Sequence, residues 1–280
     1  MNEQIKRALW MKTGLGPALE TARSLPHAVH ALAAGKRVIA AEPAAAKVFS
    51  GAHGDVRYVV TGRYESVTVV FIHGSPGRWE AWGSYLEKPR PGYVCLAPDR
   101  LGYGGSRAGV AISSIDRQAE AIAELVQSTT VGPIVVVGHS HGGPVAVRVA
   151  TRLGERAKGL LLLAANLEPR LEGHDWFQSL ALAPARKGFL PSSLRVSLLE
   201  TEPLRRELEH LRRDFKNLKC RVIALHGRSD SIVDRRHVDI VEREIPGAIV
   251  ERIEGVDHSL PFTRPDLVWD AIERLSQSDQ

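Results

Sequence analysis

The chain has 280 residues, 44% of them hydrophobic, which is enough for a sizeable core in one α/β domain or two small ones. Its net charge of +5 does not suggest a polyanion binder, because residues 1–47 hold seven basic side chains against three acidic ones, leaving +1 on the other 233. There is no basic stripe interleaved with aromatics and no zinc-finger spacing, which argues against nucleic acid, and no run approaches 18 consecutive apolar residues, which argues against a membrane span.

Residues 1–47 are helix-prone pieces broken at Gly14, Gly16-Pro17, Pro26 and Pro43. We expect a helical extension that packs on or near the main domain, residues 48–280. The sharper alternative is a weak membrane-surface contact through Trp10, Met11 and the basic residues. Val56–Thr61 and Val67–Ile72 are β-branched and aromatic runs around a turn-like Gly62-Arg63-Tyr64-Glu65-Ser66, and they predict a hairpin entering a central sheet. Tyr93–Ala97 is the next strand, and Ile115, Ala119, Ile122 and Val126 mark an amphipathic helix.

Ile134–Val137 is too continuously apolar for a sheet with one wet face and predicts a parallel strand buried on both sides. A helix follows from Pro144, then a strand over Gly159–Ala165. Residues 166–203 break this rhythm with Pro169, Trp176-Phe177, Pro184 and Gly188-Phe189-Leu190-Pro191, so a small, partly helical lid is expected there. Its aromatic pair, Trp176 and Phe177, is the candidate substrate-binding surface. Leu204, Leu208, Leu211 and Phe215 predict a helix, Cys220–His226 a strand, Asp234–Glu244 a helix, Ala248–Ile253 the last strand, and Leu267–Leu275 the closing helix. Alternating strands and helices imply a mainly parallel sheet with right-handed crossovers. Cys95 and Cys220 sit in strand-like runs and read as reduced thiols. With no signal-peptide pattern, the expected compartment is cytoplasmic.

The chemistry concentrates at Gly138-His139-Ser140-His141-Gly142, a G-x-S-x-G pattern between a strand and a helix. Such a turn holds its serine in a left-handed conformation and aims the unpaired N–H groups of the following helix at whatever the serine attacks. A serine hydroxyl is a weak nucleophile at neutral pH. It needs a base within hydrogen-bond reach and a carboxylate to hold that base in the right tautomer. His258 and Asp230 fit these roles, each following a strand and both following Ser140 in the chain. Asp234 reads instead as a helix cap, His139 and His226 as residues packed near strand ends, and Asp257 as solvent-facing. His139 and His141 form an H-x-H pair, but no third ligand is evident, so neither a metal nor a cofactor is expected.

Four motifs in order, His73-Gly74-Ser75-Pro76-Gly77, Asp99-Arg100-Leu101-Gly102-Tyr103-Gly104-Gly105-Ser106, Gly138–Gly143, and Gly227-Arg228-Ser229-Asp230 with Gly255-Val256-Asp257-His258, make residues 54–276 resemble the α/β-hydrolase family. The resemblance implies Ser140 as nucleophile, His258 as general base and acid, Asp230 as orienting carboxylate, and the N–H groups of Ser75 and His141 as oxyanion hole. It implies structural roles for His73, Asp99 and Arg100. The serine sets the chain apart from branches that use an aspartate nucleophile, such as haloalkane dehalogenases and epoxide hydrolases. An ester or related acyl hydrolase acting on a small, mostly apolar molecule leads. A prolyl-iminopeptidase-like aminopeptidase and a non-enzymatic interaction protein of this fold are the alternatives.

Overall fold

The computed structural model describes residues 46–62, 67–108, 113–172 and 192–277. Among them eight strands, β1 (Ala46–Gly51), β2 (Gly54–Thr61), β3 (Val67–Ile72), β4 (Tyr93–Pro98), β5 (Ile134–His139), β6 (Ala157–Leu163), β7 (Arg221–Gly227) and β8 (Ile249–Ile253), join in one sheet. The order is β1-β2-β4-β3-β5-β6-β7-β8. β1 and β2 are antiparallel, as are β2 and β4; every other pair is parallel. The helices are α1 (Gly83–Glu87), α2 (Ile115–Thr129), α3 (Gly142–Leu153), α4 (Ser192–Thr201), α5 (Leu204–Leu211), α6 (Asp239–Glu244), α7 (Leu260–Thr263) and α8 (Pro265–Ser276).

The two-residue period of the strands divides the core into two layers. Val70, Ile72, Leu96, Val136, Leu160 and Leu162 face α2, α3 and α5. Val69, Phe71, Cys95, Val135, Val137 and Leu161 face α1, α8 and the buried Trp79. Both faces of β3 and β5 are therefore dry, which is why their sequences lack polar alternation. On the second face Phe71 meets the rings of Trp82 and Tyr85 at centroid distances of 4.9 and 5.1 Å, and such pairs hold the layer beyond their area burial.

The predicted hairpin does not form. β3 is flanked by β4 and β5, and β2 pairs with the far edge of β4, with Val59 opposite Ala97. Two apolar strands adjacent in sequence suggested pairing, but the parallel return of β4 takes the edge that β2 would have used. The strand β1 also departs from expectation, since it begins at Ala46 where a helical extension was read to residue 47; residues 1–45 lie outside the described residues. β6 spans Ala157–Leu163 rather than Gly159–Ala165, and Ala164 leaves the ladder with φ 46°. The helix expected over 234–244 divides into a 3₁₀ turn, Arg235–Val238, and α6. Cys95 and Cys220 are both free thiols. Among the described residues no helix is long and apolar enough to cross a membrane.

Candidate active site

From β3 the chain passes outward to β4 and then returns to place β5 on the other side of β3. In open α/β sheets ligands bind at such a reversal, outside the carboxyl ends of the strands, here those of β3 and β5. Residues 73–77 follow β3 there, Ser140 follows β5, Asp230 follows β7 and His258 follows β8.

Ser140 has φ 53°, and its N–H donates to the Leu163 carbonyl at 3.0 Å. A residue other than glycine pays strain in this region, which the surrounding turn must impose. The turn can be this tight because Gly142 lies against β3: a Cβ there would come 2.4 Å from the Ile72 carbonyl oxygen. From the loop after β3, Gly74 approaches the serine closely, and a Cβ on it would come 3.0 Å from Ser140 Cβ. Among the described residues the N–H groups of Ser75 and His141 donate to no protein acceptor, so two backbone donors remain free on loops that flank Ser140.

The Asp230 carboxylate is filled on both oxygens. Oδ1 accepts the N–H groups of Ile232 and Val233, each at 2.9 Å. Oδ2 lies 2.8 Å from His258 Nδ1 and 3.2 Å from His226 Nε2. Burial alone would raise this carboxyl, but the charge His258 carries when protonated and the bonds from both imidazoles outweigh it and hold it well below the usual carboxylate range. An ionised Asp230 can only accept, so His258 Nδ1 is the donor, and Nε2 is the basic nitrogen of the neutral ring.

His139 links the serine turn to the His258 loop. Its Nε2 donates to the His258 carbonyl at 3.1 Å, and the two rings lie 4.7 Å apart. Burial, reinforced by repulsion from His258, lowers the His139 imidazole to about 3, so it stays neutral. His139 and His226, read from sequence as packed near strand ends, thus touch His258 and Asp230 directly. Asp257 is not a bare solvent position either, because its carboxylate accepts the N–H of Ser259 at 2.9 Å. Asp234 accepts the Arg236 N–H at 2.9 Å and begins the 3₁₀ turn.

The first loop is braced as its motif suggested. His73 Nε2 accepts the Arg100 N–H at 2.9 Å, so Nδ1 carries the proton given to the Gly74 carbonyl at 2.8 Å. Burial first, then the Arg100 charge, lowers His73 to about 3. Asp99 accepts the N–H groups of Trp79 and Gly105, both at 2.8 Å. After β6, where an alternative acid could stand, Asn166 donates to Glu172 at 3.3 Å and Glu168 pairs with Arg243 at 3.1 Å. A buried carboxylate that sequence reasoning did not single out, Glu200 of α4, lies 2.9 Å from Ser75 Oγ and 3.7 Å from His141 Nε2. No motif marks it. His141 turns toward that carboxylate, His139 toward His258, and no group of three or more His, Cys, Asp or Glu among the described residues could hold a metal. Trp176 and Phe177 lie outside the described residues.

A model of the alpha/beta hydrolase family matches residues 69–271. The chain is 24% identical over 189 residues to Epoxide hydrolase 3 of Xenopus tropicalis, covering 61% of this chain and 51% of that protein. It is 38% identical over 95 residues to Lipase LipV of Mycobacterium tuberculosis, covering 34% of this chain and 36% of that one. The chain therefore spans about half the length of the first and about a third of the second. A solved hydrolase from Pseudomonas aeruginosa superposes with a TM-score of 0.69 at 16% identity, covering 84% of this chain and 99% of that one. At such identity the likeness speaks for the fold alone.

Proposed function

The chain belongs to the alpha/beta hydrolase family, and from that premise we propose that it is a serine-dependent acyl hydrolase that cleaves an ester or related acyl bond of a small, mostly apolar substrate through an acyl-enzyme. What supports the reading is that Ser140 is strained at φ 53° between β5 and α3, and that His139, the residue before it, bonds the backbone of His258, whose ring lies 2.8 Å from Asp230.

In this reading Ser140 Oγ attacks the substrate carbonyl carbon while His258 Nε2 takes its proton. Asp230 holds the ring in that tautomer and stabilises the imidazolium. The carbonyl oxygen becomes an oxyanion that accepts from the free N–H groups of Ser75 and His141, where one lost donor typically costs about 3 to 4 kcal/mol of barrier. Collapse breaks the bond to the leaving group, which departs with the proton from His258. Water, deprotonated by the same ring, then releases the acid and restores Ser140.

A serine nucleophile also limits the reaction class. Opening an epoxide or displacing a halide with Ser140 would leave an alkyl ether, which activated water does not cleave, whereas an acyl ester turns over. Three described acids of the insertion favour an ester over a substrate with a free amine. Glu200 is paired with Arg100, Glu168 with Arg243, and Glu172 with Asn166 and His237, so none stands open to an ammonium group.

The test is labelling by a fluorophosphonate with mapping of the adduct, combined with turnover of p-nitrophenyl esters of graded chain length beside aminoacyl amides. The wild-type protein should label at Ser140 and prefer the esters, and Ser140→Ala should lose both labelling and turnover while keeping its thermal unfolding. Labelling of the alanine variant, or faster turnover of the aminoacyl amides, would overturn the proposal.

A further inference from the structure

Arg100 and Glu200 form an ion pair whose side chains are 0% and 1% exposed. Arg100 Nη1 lies 2.6 Å from Oε1 and Nη2 3.2 Å from Oε2. Taking two such charges out of water costs several kcal/mol apiece, and an apolar pair of similar volume is often as stable, so stability alone is a poor reason for them to be there.

The bonds around the pair suggest another. Arg100 Nε donates to the His73 carbonyl and Nη2 to the Gly74 carbonyl, each at 3.0 Å. These are the two peptides immediately before Ser75. From the other side Glu200 Oε2 accepts from the Tyr103 hydroxyl at 2.6 Å and from the Ser75 hydroxyl at 2.9 Å, with His141 Nε2 at 3.7 Å. Glu200 thus reaches the side chains of both residues whose N–H groups are assigned to the oxyanion, and Arg100 cancels the negative charge that would otherwise oppose an oxyanion nearby.

Glu200 belongs to the insertion rather than to the sheet. Its helix α4 is seated on the loop after β4 at Gly102, which has φ 84° and where a Cβ would come 2.9 Å from Val196 Cγ2. One turn before Glu200, Ser197 Oγ lies 3.0 Å from Ser75 Oγ. Burial by itself would raise the Glu200 carboxyl. The charge of Arg100, with the bonds from Arg100 and Tyr103 and a further contribution from His141 when that ring is protonated, instead lowers it to about 2, so it stays ionised as a strong acceptor.

We propose that Glu200 is a positioning residue for the oxyanion hole: bonded to Ser75 from the insertion helix, while Arg100 grips the two preceding carbonyls, it sets the direction of the Ser75 N–H and couples catalysis to the seated insertion. The inference rests on the acyl-hydrolase reading.

Three variants test it against the wild-type protein, with p-nitrophenyl butyrate as substrate and an alkyl trifluoromethyl ketone as a tetrahedral-adduct probe. Glu200→Gln should lower kcat by about tenfold to a hundredfold, less than or near the loss of a whole donor, with KM changed by less than about threefold. Affinity for the ketone should fall in step with kcat. Ser75→Ala keeps the backbone N–H and removes only the strut, and should lower kcat about tenfold in the same pattern. The double variant Arg100→Met with Glu200→Leu removes both charges, so that a fold disturbed by an unpaired Arg100 is not mistaken for lost positioning; it should also show the fall in kcat and ketone affinity. A wild-type protein that neither labels with fluorophosphonate nor turns over esters would refute the acyl-hydrolase reading itself. An active wild-type protein whose Ser75→Ala variant, or whose folded Glu200 variants, keep kcat and ketone affinity within about threefold would overturn this inference and leave that reading standing.

Discussion

Replacing Asp230 by Asn separates orientation from simple packing. Oδ1 accepts two backbone N–H groups, from Ile232 and Val233, and Oδ2 faces the donor nitrogens of His258 and His226. An amide has one oxygen and one NH₂. If its oxygen stays with the backbone, the NH₂ meets the two imidazoles donor to donor. If it flips, the NH₂ meets two backbone donors that cannot change. The least costly relief is for His258 to move its proton to Nε2, which takes away the base that Ser140 needs in the proposed mechanism. Loss of the right tautomer in a unit of this kind costs roughly 10⁴ in kcat. Losing charge-assisted bonds while stranding a donor costs about 2 to 4 kcal/mol, or roughly 4 to 16 °C in melting temperature for a domain of this size. Steady-state turnover of a p-nitrophenyl ester and calorimetry of the same preparation give both quantities. If Asp230→Asn keeps its rate within about tenfold while Glu168→Gln or Glu172→Gln loses it, the orienting carboxylate stands after β6 and this reasoning fails.

Asp234→Ala should cost about 1 kcal/mol of stability and leave turnover unchanged, since its carboxylate caps the Arg236 N–H and its side chain is paired with Arg236; a large loss of rate would give it the role assigned to Asp230. Melting temperature should fall as pH drops below about 6.5, because burial lowers His73 and His139 to about 3 and His141 and His237 to about 4. The unfolded chain then binds protons that the native one does not, at about 1.4 kcal/mol per pH unit for each imidazole. Asp99, raised to about 6 by burial, and Glu172, also raised by burial, work in the opposite direction but are two carboxyls against four imidazoles, so a melting temperature that is flat or rising from pH 6.5 to 4.5 would contradict the assignment of neutral buried rings. Alanine at Trp176 and Phe177 should change the chain-length profile of ester hydrolysis more than it changes thermal stability, and an unchanged profile would remove the argument for an apolar substrate.

The strands were legible where burial writes a simple signal. β3 and β5 are dry on both faces, and the apolar runs Val69–Ile72 and Ile134–Val137 say so. The pairing of β2 was not legible, because composition shows that a stretch is extended but not which edge is vacant. That depends on where β4 returns, a non-local matter decided by the crossover. β1 was missed for a related reason: half of Ala46–Gly51 is exposed and none of it is buried, with Val48 60% exposed, so no apolar alternation announces it, and its order comes from the ladder it makes with β2.

The same physics divides the site. Ser140 was legible because the glycines that permit its turn, the strand before it and the helix after it all lie within a few residues. Asp230 and His258 were legible because each ends a strand at a turn of recognisable composition. Glu200 carries no such mark. Helix α4 lacks a clean apolar stripe, since part of the face it buries is polar, Ser197 and Glu200 beside Val196, and hydrophobic periodicity cannot see a face that is buried through hydrogen bonds. A glutamate in such a helix is ordinarily a solvated residue. What reverses that expectation is Arg100, a hundred residues earlier, whose guanidinium has no water to reach and whose other donors are committed to the carbonyls before Ser75. Once Arg100 is fixed beneath the insertion, some carboxylate must come down to meet it, and the residue that does so arrives beside the loop that carries Ser75.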